Sequence, residues 1–123
     1  MTIVYTDGMK PKRFSGQISL SISLADWTKL MQLASERVIP AAELMRMALA
    51  ILVAQWRASR ERKEVIHKIE QDKPLPPYGC MVTFAMRPGQ REVLGEIRSG
   101  GVIQSDAIRY ALNQYLQGVS TRD

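Results

Sequence analysis

Histidine and cysteine, two side chains often used for acid-base and nucleophilic chemistry, each occur once, as His67 and Cys80. His67 lies in a charged, Lys-rich stretch with no nucleophile motif nearby, which is typical of a solvent-facing helix residue. A single cysteine can form neither an internal disulfide nor a cysteine-rich zinc cluster. The sequence also has no glycine-rich phosphate loop, no metal-ligand spacing and no Gly-x-Ser-x-Gly motif. It therefore predicts a protein that is not an enzyme and needs no metal or cofactor.

The charge balance favours a polyanionic partner. Seventeen Lys and Arg residues against twelve Asp and Glu residues give a net charge of +5. Nucleic acid and an anionic membrane surface both fit this excess, and so does a soluble basic protein without such a partner. The length of 123 residues and the apolar fraction of 46% are enough for one globular domain with its own core.

No segment has the pattern of a targeting signal or a membrane span. Residues 1–13 include Asp7, Gly8 and Pro11 and lack an apolar signal core. The most apolar run, Leu44 to Trp56, is interrupted by Arg46 and is shorter than the roughly 20 residues that span a bilayer. We therefore expect no membrane insertion and a cytoplasmic protein, in which a lone thiol stays reduced.

Two short segments, residues 17–22 and 81–86, have the alternation of a half-buried β-strand. Apolar residues occupy every second position in each segment, so one side of each strand is predicted to face a core. The predicted inward side chains are Ile18, Leu20, Ile22, Val82, Phe84 and Met86. The predicted outward side chains are Gln17, Ser19, Ser21, Met81, Thr83 and Ala85.

Two helices are predicted after the first strand. Ser23 and Asp26 have the spacing of a capping box, and the helix that they begin is broken at Val38–Pro40. The second helix runs from about Ala41 to at least Trp56. It is apolar almost all round, which predicts deep burial.

Two helices are also predicted after the second strand. Pro88 begins the first of them, and Gly100–Gly101 ends it. Gln104 or Ser105 is the predicted cap of a final helix that runs to about Gln117.

The final helices of the two halves match at one register, which indicates a duplication. The corresponding residues are Glu43, Arg46, Ala48 and Leu49 in the first half and Asp106, Arg109, Ala111 and Leu112 in the second. Within each helix the arginine is interpreted as a structural partner of the acid before it.

The segment between the halves, residues 57–78, combines helix formers of mixed charge with three prolines near its end. It is predicted to prolong the second helix or to form a short extra one with a solvated face, before a stiff extended connector. The predicted organisation is a basic arm (1–16), a first unit (17–56), this linker (57–78), a second unit (79–117) and a tail (118–123). Residues 17–117 together are expected to form one compact domain.

One strand with two helices has an unpaired edge and too little core to be stable alone. Pairing the two strands antiparallel satisfies their backbone groups, and four helices can then pack beneath the pair. The predicted fold class is therefore mainly α with a two-stranded antiparallel β-ribbon. Such a ribbon fits the major groove of DNA.

The order of strand, helix, short turn and a helix with an acid-x-x-Arg-x-Ala-Leu run resembles the ribbon-helix-helix superfamily of Arc- and MetJ-type DNA binders. The resemblance covers roughly Gln17–Trp56 and Cys80–Gln117. Members normally form homodimers, so the resemblance implies a tandem pseudo-dimer within one chain. The tandem form is similar to accessory proteins of T-DNA transfer from tumour-inducing plasmids, which bind the overdrive enhancer beside the border repeat.

The resemblance implies that the outward strand residues contact bases. Those residues are Gln17, Ser19, Ser21, Met81, Thr83 and Ala85. Gln can pair with adenine, and Met, Ala and the Thr methyl suit thymine. The superfamily often has Arg, Lys or Asn on this face and this sequence has none there, which gives more weight to recognition of DNA shape. A ribbon used for protein contact is the alternative.

The resemblance also implies that the amino terminus of each second helix binds phosphate. The matching positions are 40–42 and 103–105. Gln104 and Ser105 offer side-chain donors as well, whereas Pro40 lacks a backbone donor, so the first site is expected to be weaker. The predicted further phosphate contacts are Lys10, Lys12, Arg13 and Arg87.

Together these features predict a double-stranded DNA-binding protein, an accessory factor of conjugation-type or T-DNA processing and transfer that binds an enhancer site. A relaxase or another transfer protein is the expected protein partner. One alternative is a transcriptional repressor or antitoxin of the same superfamily. The other is a DNA-free adaptor of a transfer or secretion complex, which would use its helical faces or the segment Arg57–Lys73.

Overall fold

The computed structural model describes residues 16–121, with side chains through Val119. The chain is mainly helical with a two-stranded antiparallel sheet, as predicted. Its elements in order are β1 (Gln17–Ile22), α1 (Leu24–Arg37), α2 (Ala41–Ala58), α3 (Arg62–Asp72), β2 (Cys80–Ala85), α4 (Pro88–Ser99) and α5 (Gln104–Thr121).

The ribbon formed by β1 and β2 is centred on Ser19, which pairs with Thr83, while Gln17 pairs with Ala85 and Ser21 with Met81. The alternation along each strand has the predicted effect on burial. The inward side chains Leu20, Ile22, Val82, Phe84 and Met86 are buried, and Ile18 is half-buried at the margin of the core. One face of the ribbon therefore covers the core and the other is left outside.

The core beneath the ribbon is built mainly from α2 and α5, which make the most extensive helix–helix contact in the described chain. Leu44, Leu49, Ile108 and Leu112 are at most 1% exposed. The predicted deep burial of α2 holds for the side that faces the core, whereas its opposite side is exposed. Exposed residues on it are Ala50, Ile51, Ala54 and Gln55.

The starts of α1 and α4 carry the two buried polar side chains of the described residues, Asp26 and Gln90. Ser23 Oγ accepts a hydrogen bond from the Asp26 amide (3.1 Å), which is half of the predicted capping box. The Asp26 carboxylate instead accepts from Asn113 Nδ2 of α5 (3.1 Å). Gln90 Nε2 donates to the carbonyl of Arg46 in α2 (2.8 Å). Each polar group is therefore satisfied across the core, as burial requires.

The turns between helices differ in one detail from the prediction. α1 ends at Arg37 and is capped by Val38, whose φ of 54° lies in the left-handed region. α4 ends before Gly100 and Gly101 as predicted. Gln104 and Ser105 are the first residues of α5 and do not cap it. The carbonyl of Ile103 accepts the first helical bond, from Ala107 (3.2 Å), so the cap lies one residue earlier.

The linker is part of the packed structure. Its charged segment forms the separate helix α3, whose charged side chains are exposed as predicted, while Ile69 on the opposite side is fully buried against the core. Ile66 lies against Gly100, where an added Cβ would come within 2.9 Å of it. His67 is exposed, as predicted. After α3 the proline-rich connector is held by Tyr78 Oη, which donates to the carbonyl of Pro74 (2.6 Å).

Within residues 16–121, no single helix combines the length and apolarity needed to cross a membrane. The pair α1 and α2 passes the same test only when taken together, with a bend of 108° between them.

One buried hydroxyl supplies a stability prediction. α2 and α5 leave a cleft of about 250 Å³ between their second halves, and the Tyr115 hydroxyl in its wall is buried with no hydrogen-bond partner among the described residues. An unsatisfied buried hydroxyl costs about 1–3 kcal/mol. Tyr115→Phe is therefore expected to raise the free energy of unfolding by about 1 kcal/mol in urea denaturation.

Tyr78→Phe is the matched control, because it removes a tyrosine hydroxyl that does have a partner. We expect it to lower the free energy of unfolding by about 1 kcal/mol. Equal losses of stability in the two variants would show that the Tyr115 hydroxyl is satisfied.

Candidate nucleic-acid interface

The outer face of the ribbon carries the six residues predicted to contact bases. Gln17, Ser19, Met81 and Thr83 are exposed, with Met81 at 68%, whereas Ser21 and Ala85 are half-buried. The hydroxyls of Ser19 and Thr83 lie 2.8 Å apart and form a hydrogen bond in the middle of the ribbon. The face thus offers hydroxyl and amide groups at its centre and one end, and a flexible thioether at the other end.

An arginine ties α2 to one end of the ribbon. Arg46 Nη1 donates to the carbonyl of Ala85 (3.0 Å). The same guanidinium donates to Glu43 Oε2 through Nε (3.0 Å) and Nη2 (2.9 Å), a forked geometry that fixes its orientation. The predicted pairing of Arg46 with Glu43 is confirmed.

A second arginine ties α5 to the opposite end. Arg109 Nε donates to the carbonyl of Ser21 (2.7 Å) and Nη1 donates to Asp106 Oδ1 (3.0 Å). The guanidinium also stacks on the ring of Tyr78, with Cζ 3.7 Å from its centroid. The predicted pairing of Arg109 with Asp106 is confirmed. The first turns of α2 and α5 are therefore held at the two ends of the ribbon.

Each of these first turns contains a carboxylate. The prediction of phosphate binding at these helix starts did not take its negative charge into account. The Glu43 carboxylate forms ion pairs with Arg46 and with Arg87, the latter at 3.3 Å. The Asp106 carboxylate forms ion pairs with Arg109 and with Lys73, the latter at 3.1 Å. Hydrogen bonds to Glu70 and then to Asp106 raise the pKa of Lys73 above its usual range, so this cation stays charged near neutral pH. Gln104 and Ser105 are half-buried in the first turn of α5.

Among the basic residues predicted to contact phosphate, Arg87 lies within the described part of the chain and is placed beside the ribbon. It directly follows Met86 at the start of α4, and its side chain is 55% exposed. Lys10, Lys12 and Arg13 lie outside the described residues, so their predicted contact with DNA remains a prediction.

Two basic residues near Arg87 were missed by the sequence analysis. Arg57, at the end of α2, lies against Gly89, where an added Cβ would meet its Nη2 at 3.2 Å. Arg91 is exposed on α4, with Nη1 3.1 Å from where a Cβ of Gly16 would lie. Only the packing of α2 on α4 brings Arg57 there. The available signal for Arg91 was its spacing of four residues from Arg87 on one helix face.

Groups suited to other chemistry are not brought together in the described residues. Cys80 is half-buried in β2, and no three His, Cys, Asp or Glu residues of the described chain are placed to hold a metal ion. Burial raises the pKa of Tyr110, which keeps its hydroxyl protonated in the core.

Comparisons of the chain with protein-family models, curated proteins and solved structures found no match.

Proposed function

We propose that this chain is a double-stranded DNA-binding protein, a tandem ribbon-helix-helix pseudo-dimer whose ribbon enters the major groove. The observation that carries the proposal is the exposed face of the ribbon, with four accessible side chains between two helix starts that arginines hold at its ends. A two-stranded ribbon has the width that the major groove admits. The proposal includes the cytoplasm as its compartment, since the lone thiol of Cys80 suits reducing conditions.

The strand register supports a local two-fold relation between the halves. Shifting β1 by 64 residues maps Gln17 onto Met81 and Ser21 onto Ala85, and the observed pairs then exchange with each other. Ser19 and Thr83 are equivalent to each other under this shift and lie at its centre. The starts of α1 and α4 follow the same shift, and α2 and α5 are both 18 residues long.

Contacts across the core support the same relation. Arg46 and Arg109 are 63 residues apart, and each bonds to a carbonyl of the strand in the other half. Asp26 and Gln90 both occupy the third position of their helices, and each bonds to the second helix of the other half. These exchanges are what an isologous pair of units would make.

The side chains on the ribbon suit moderate base specificity. Gln17 can donate and accept with adenine, and the central hydroxyls can contact several base edges. Met81 offers a flexible apolar contact to a thymine methyl. Because none of the described residues on this face is cationic, the affinity would come mainly from phosphate contacts beside the ribbon.

Within this proposal, the cellular role that we favour is an accessory factor of conjugation-type or T-DNA processing and transfer that binds an enhancer site, with a relaxase or another transfer protein as a partner. It rests on the resemblance of the tandem form alone. The duplex selected from random sequences distinguishes it from the alternative, since a repressor or antitoxin would select a promoter of its own gene.

A charge placed at the centre of the ribbon tests the proposed interface. Thr83→Glu would bring a carboxylate close to the bases and phosphates of a bound duplex, and we expect the affinity to fall about tenfold or more at low salt. Fluorescence anisotropy with a labelled duplex at two salt concentrations measures this loss, and circular dichroism confirms the fold.

His67→Glu is the matched control, because it adds the same charge at an exposed position of α3, a helix that the proposal places away from the duplex. It should bind nearly as well as the unmodified chain. An equal loss in both variants, or none in Thr83→Glu, contradicts the ribbon as the interface. A chain that binds no duplex even at low salt would favour the DNA-free adaptor.

A further inference from the structure

The outer face of the ribbon carries different side chains at its two ends, although the backbone relates the two strands. The shift of 64 residues that relates them places Met81 at the position of Gln17. At one end of the face Gln17 pairs with Ala85, and at the other end Met81 pairs with Ser21. Equivalent places at opposite ends therefore hold an amide and a thioether.

Both of these side chains are accessible to a partner. Met81 is 68% exposed. Gln17 is also exposed, and its amide has no hydrogen-bond partner among the side chains and backbone groups that the structure describes. Four residues separate Gln17 from Ser21, which lies opposite Met81, so the two side chains are about 13 Å apart along the ribbon. That distance corresponds to about four base-pair steps of a duplex.

The other equivalent positions of the outer face add less to the difference between the ends. Ser19 and Thr83 both present a hydroxyl, and the two hydroxyls bind each other at the centre of the ribbon (2.8 Å). Ser21 and Ala85 are small and half-buried. The chemical difference between the ends therefore lies mainly in the amide of Gln17 and the thioether of Met81.

We propose that the chain binds a non-palindromic duplex in a single orientation, with Gln17 on an adenine of one half-site and Met81 on a thymine methyl of the other. This inference rests on the proposed function. The glutamine amide matches the N7 acceptor and the N6 donor of adenine, and the flexible thioether suits the apolar methyl group of thymine. A homodimer presents the same side chain to both half-sites and so favours an inverted repeat. Two different strands in one chain remove that constraint.

Base-analogue interference on the full chain tests the orientation. The probe is a duplex of about 20 base pairs that the chain selects from a random library. Each adenine is replaced in turn by 7-deazaadenine, which lacks the N7 acceptor, and each thymine by uracil, which lacks the methyl group. We expect 7-deazaadenine to weaken binding about fivefold at a position in one half-site. Uracil should weaken binding about fourfold at a position in the other half-site.

Variants of the two residues assign these contacts, and each alanine variant is the control for the other. In Gln17→Ala the loss caused by 7-deazaadenine should disappear while the loss caused by uracil remains, and Met81→Ala should show the reverse. Residues 1–15 join the chain next to Gln17 and lie outside the described residues. Because each loss is followed through the variant of one ribbon side chain, any contact that residues 1–15 make is common to both measurements.

Gln17→Met supplies a positive test, because it makes the two equivalent positions identical. A library selected with this variant should yield a site closer to an inverted repeat, with uracil-sensitive positions in both halves.

Three results with the unmodified chain or the alanine variants overturn the single orientation and leave the proposed function standing. They are an inverted repeat with equal losses in both halves, no loss with either analogue, and losses that neither Gln17→Ala nor Met81→Ala removes. Failure of the unmodified chain to retain any duplex from the library overturns the proposed function, and the orientation with it. The pattern with the unmodified chain decides the question even if a variant folds poorly.

Discussion

Phe84→Ala is expected to lower the free energy of unfolding by about 3–5 kcal/mol. Phe84 is the next-to-last residue of β2, opposite Ile18, and is 2% exposed in the core that the ribbon covers. Truncating it removes a large buried apolar surface and leaves a cavity that the surrounding helices can fill only in part. Urea denaturation followed by circular dichroism measures the change, and a lower midpoint at constant slope identifies it as lost stability.

Met81→Ala is the matched variant from the same strand, because its side chain points to the other face and is 68% exposed. Its free energy of unfolding should stay within about 0.5 kcal/mol of the unmodified value. A large loss in Met81→Ala together with a small loss in Phe84→Ala would reverse the assignment of the two faces.

Arg109→Ala is expected to lower the free energy of unfolding by about 3 kcal/mol. The guanidinium satisfies the carbonyl of Ser21, binds Asp106 and stacks on Tyr78. Removing it takes a hydrogen-bond donor from the Ser21 carbonyl and leaves the Asp106 carboxylate, which is 16% exposed, with Lys73 as its remaining ion-pair partner among the described residues. Thermal and urea denaturation both measure the loss.

Arg109→Lys separates charge from geometry in this contact. A lysine keeps the positive charge near Asp106 but lacks the planar fork and stacks less well on Tyr78. We expect it to recover only part of the stability lost in Arg109→Ala. Full recovery would show that charge alone matters, and no loss in the alanine variant would contradict the role of Arg109 in fixing α5 to the ribbon.

The strands were predictable from sequence because the alternation of apolar and polar residues that marks them is a local pattern. This alternation predicted that Leu20 and Phe84 point inward and that Ser19 and Thr83 point outward. The observed register and burial agree with that prediction. The helix α3 was not fully predictable. Its composition indicated a helix, but the burial of Ile69 depends on where α5 and α2 leave an apolar surface, which no local pattern specifies.

The candidate interface was predictable in its centre and not in its surroundings. The pleat alone predicted the outward set on the ribbon. Arg57 reaches Gly89 only because α2 packs on α4, and the two residues are far apart in sequence. The carboxylates of Glu43 and Asp106 were identified as arginine partners, but their position at the helix starts near the ribbon, where they oppose phosphate, emerged only from the packing.

The most direct test of the central claim is to map the DNA-contacting surface on the unmodified chain. A ¹⁵N-labelled sample titrated at low salt with a duplex of about 20 base pairs reports every backbone amide by NMR. We expect the largest shift changes on β1 and β2 and on the first turns of α2 and α5, with α3 little affected. Changes concentrated on α3 with an unaffected ribbon, or no changes at saturating duplex, would contradict it.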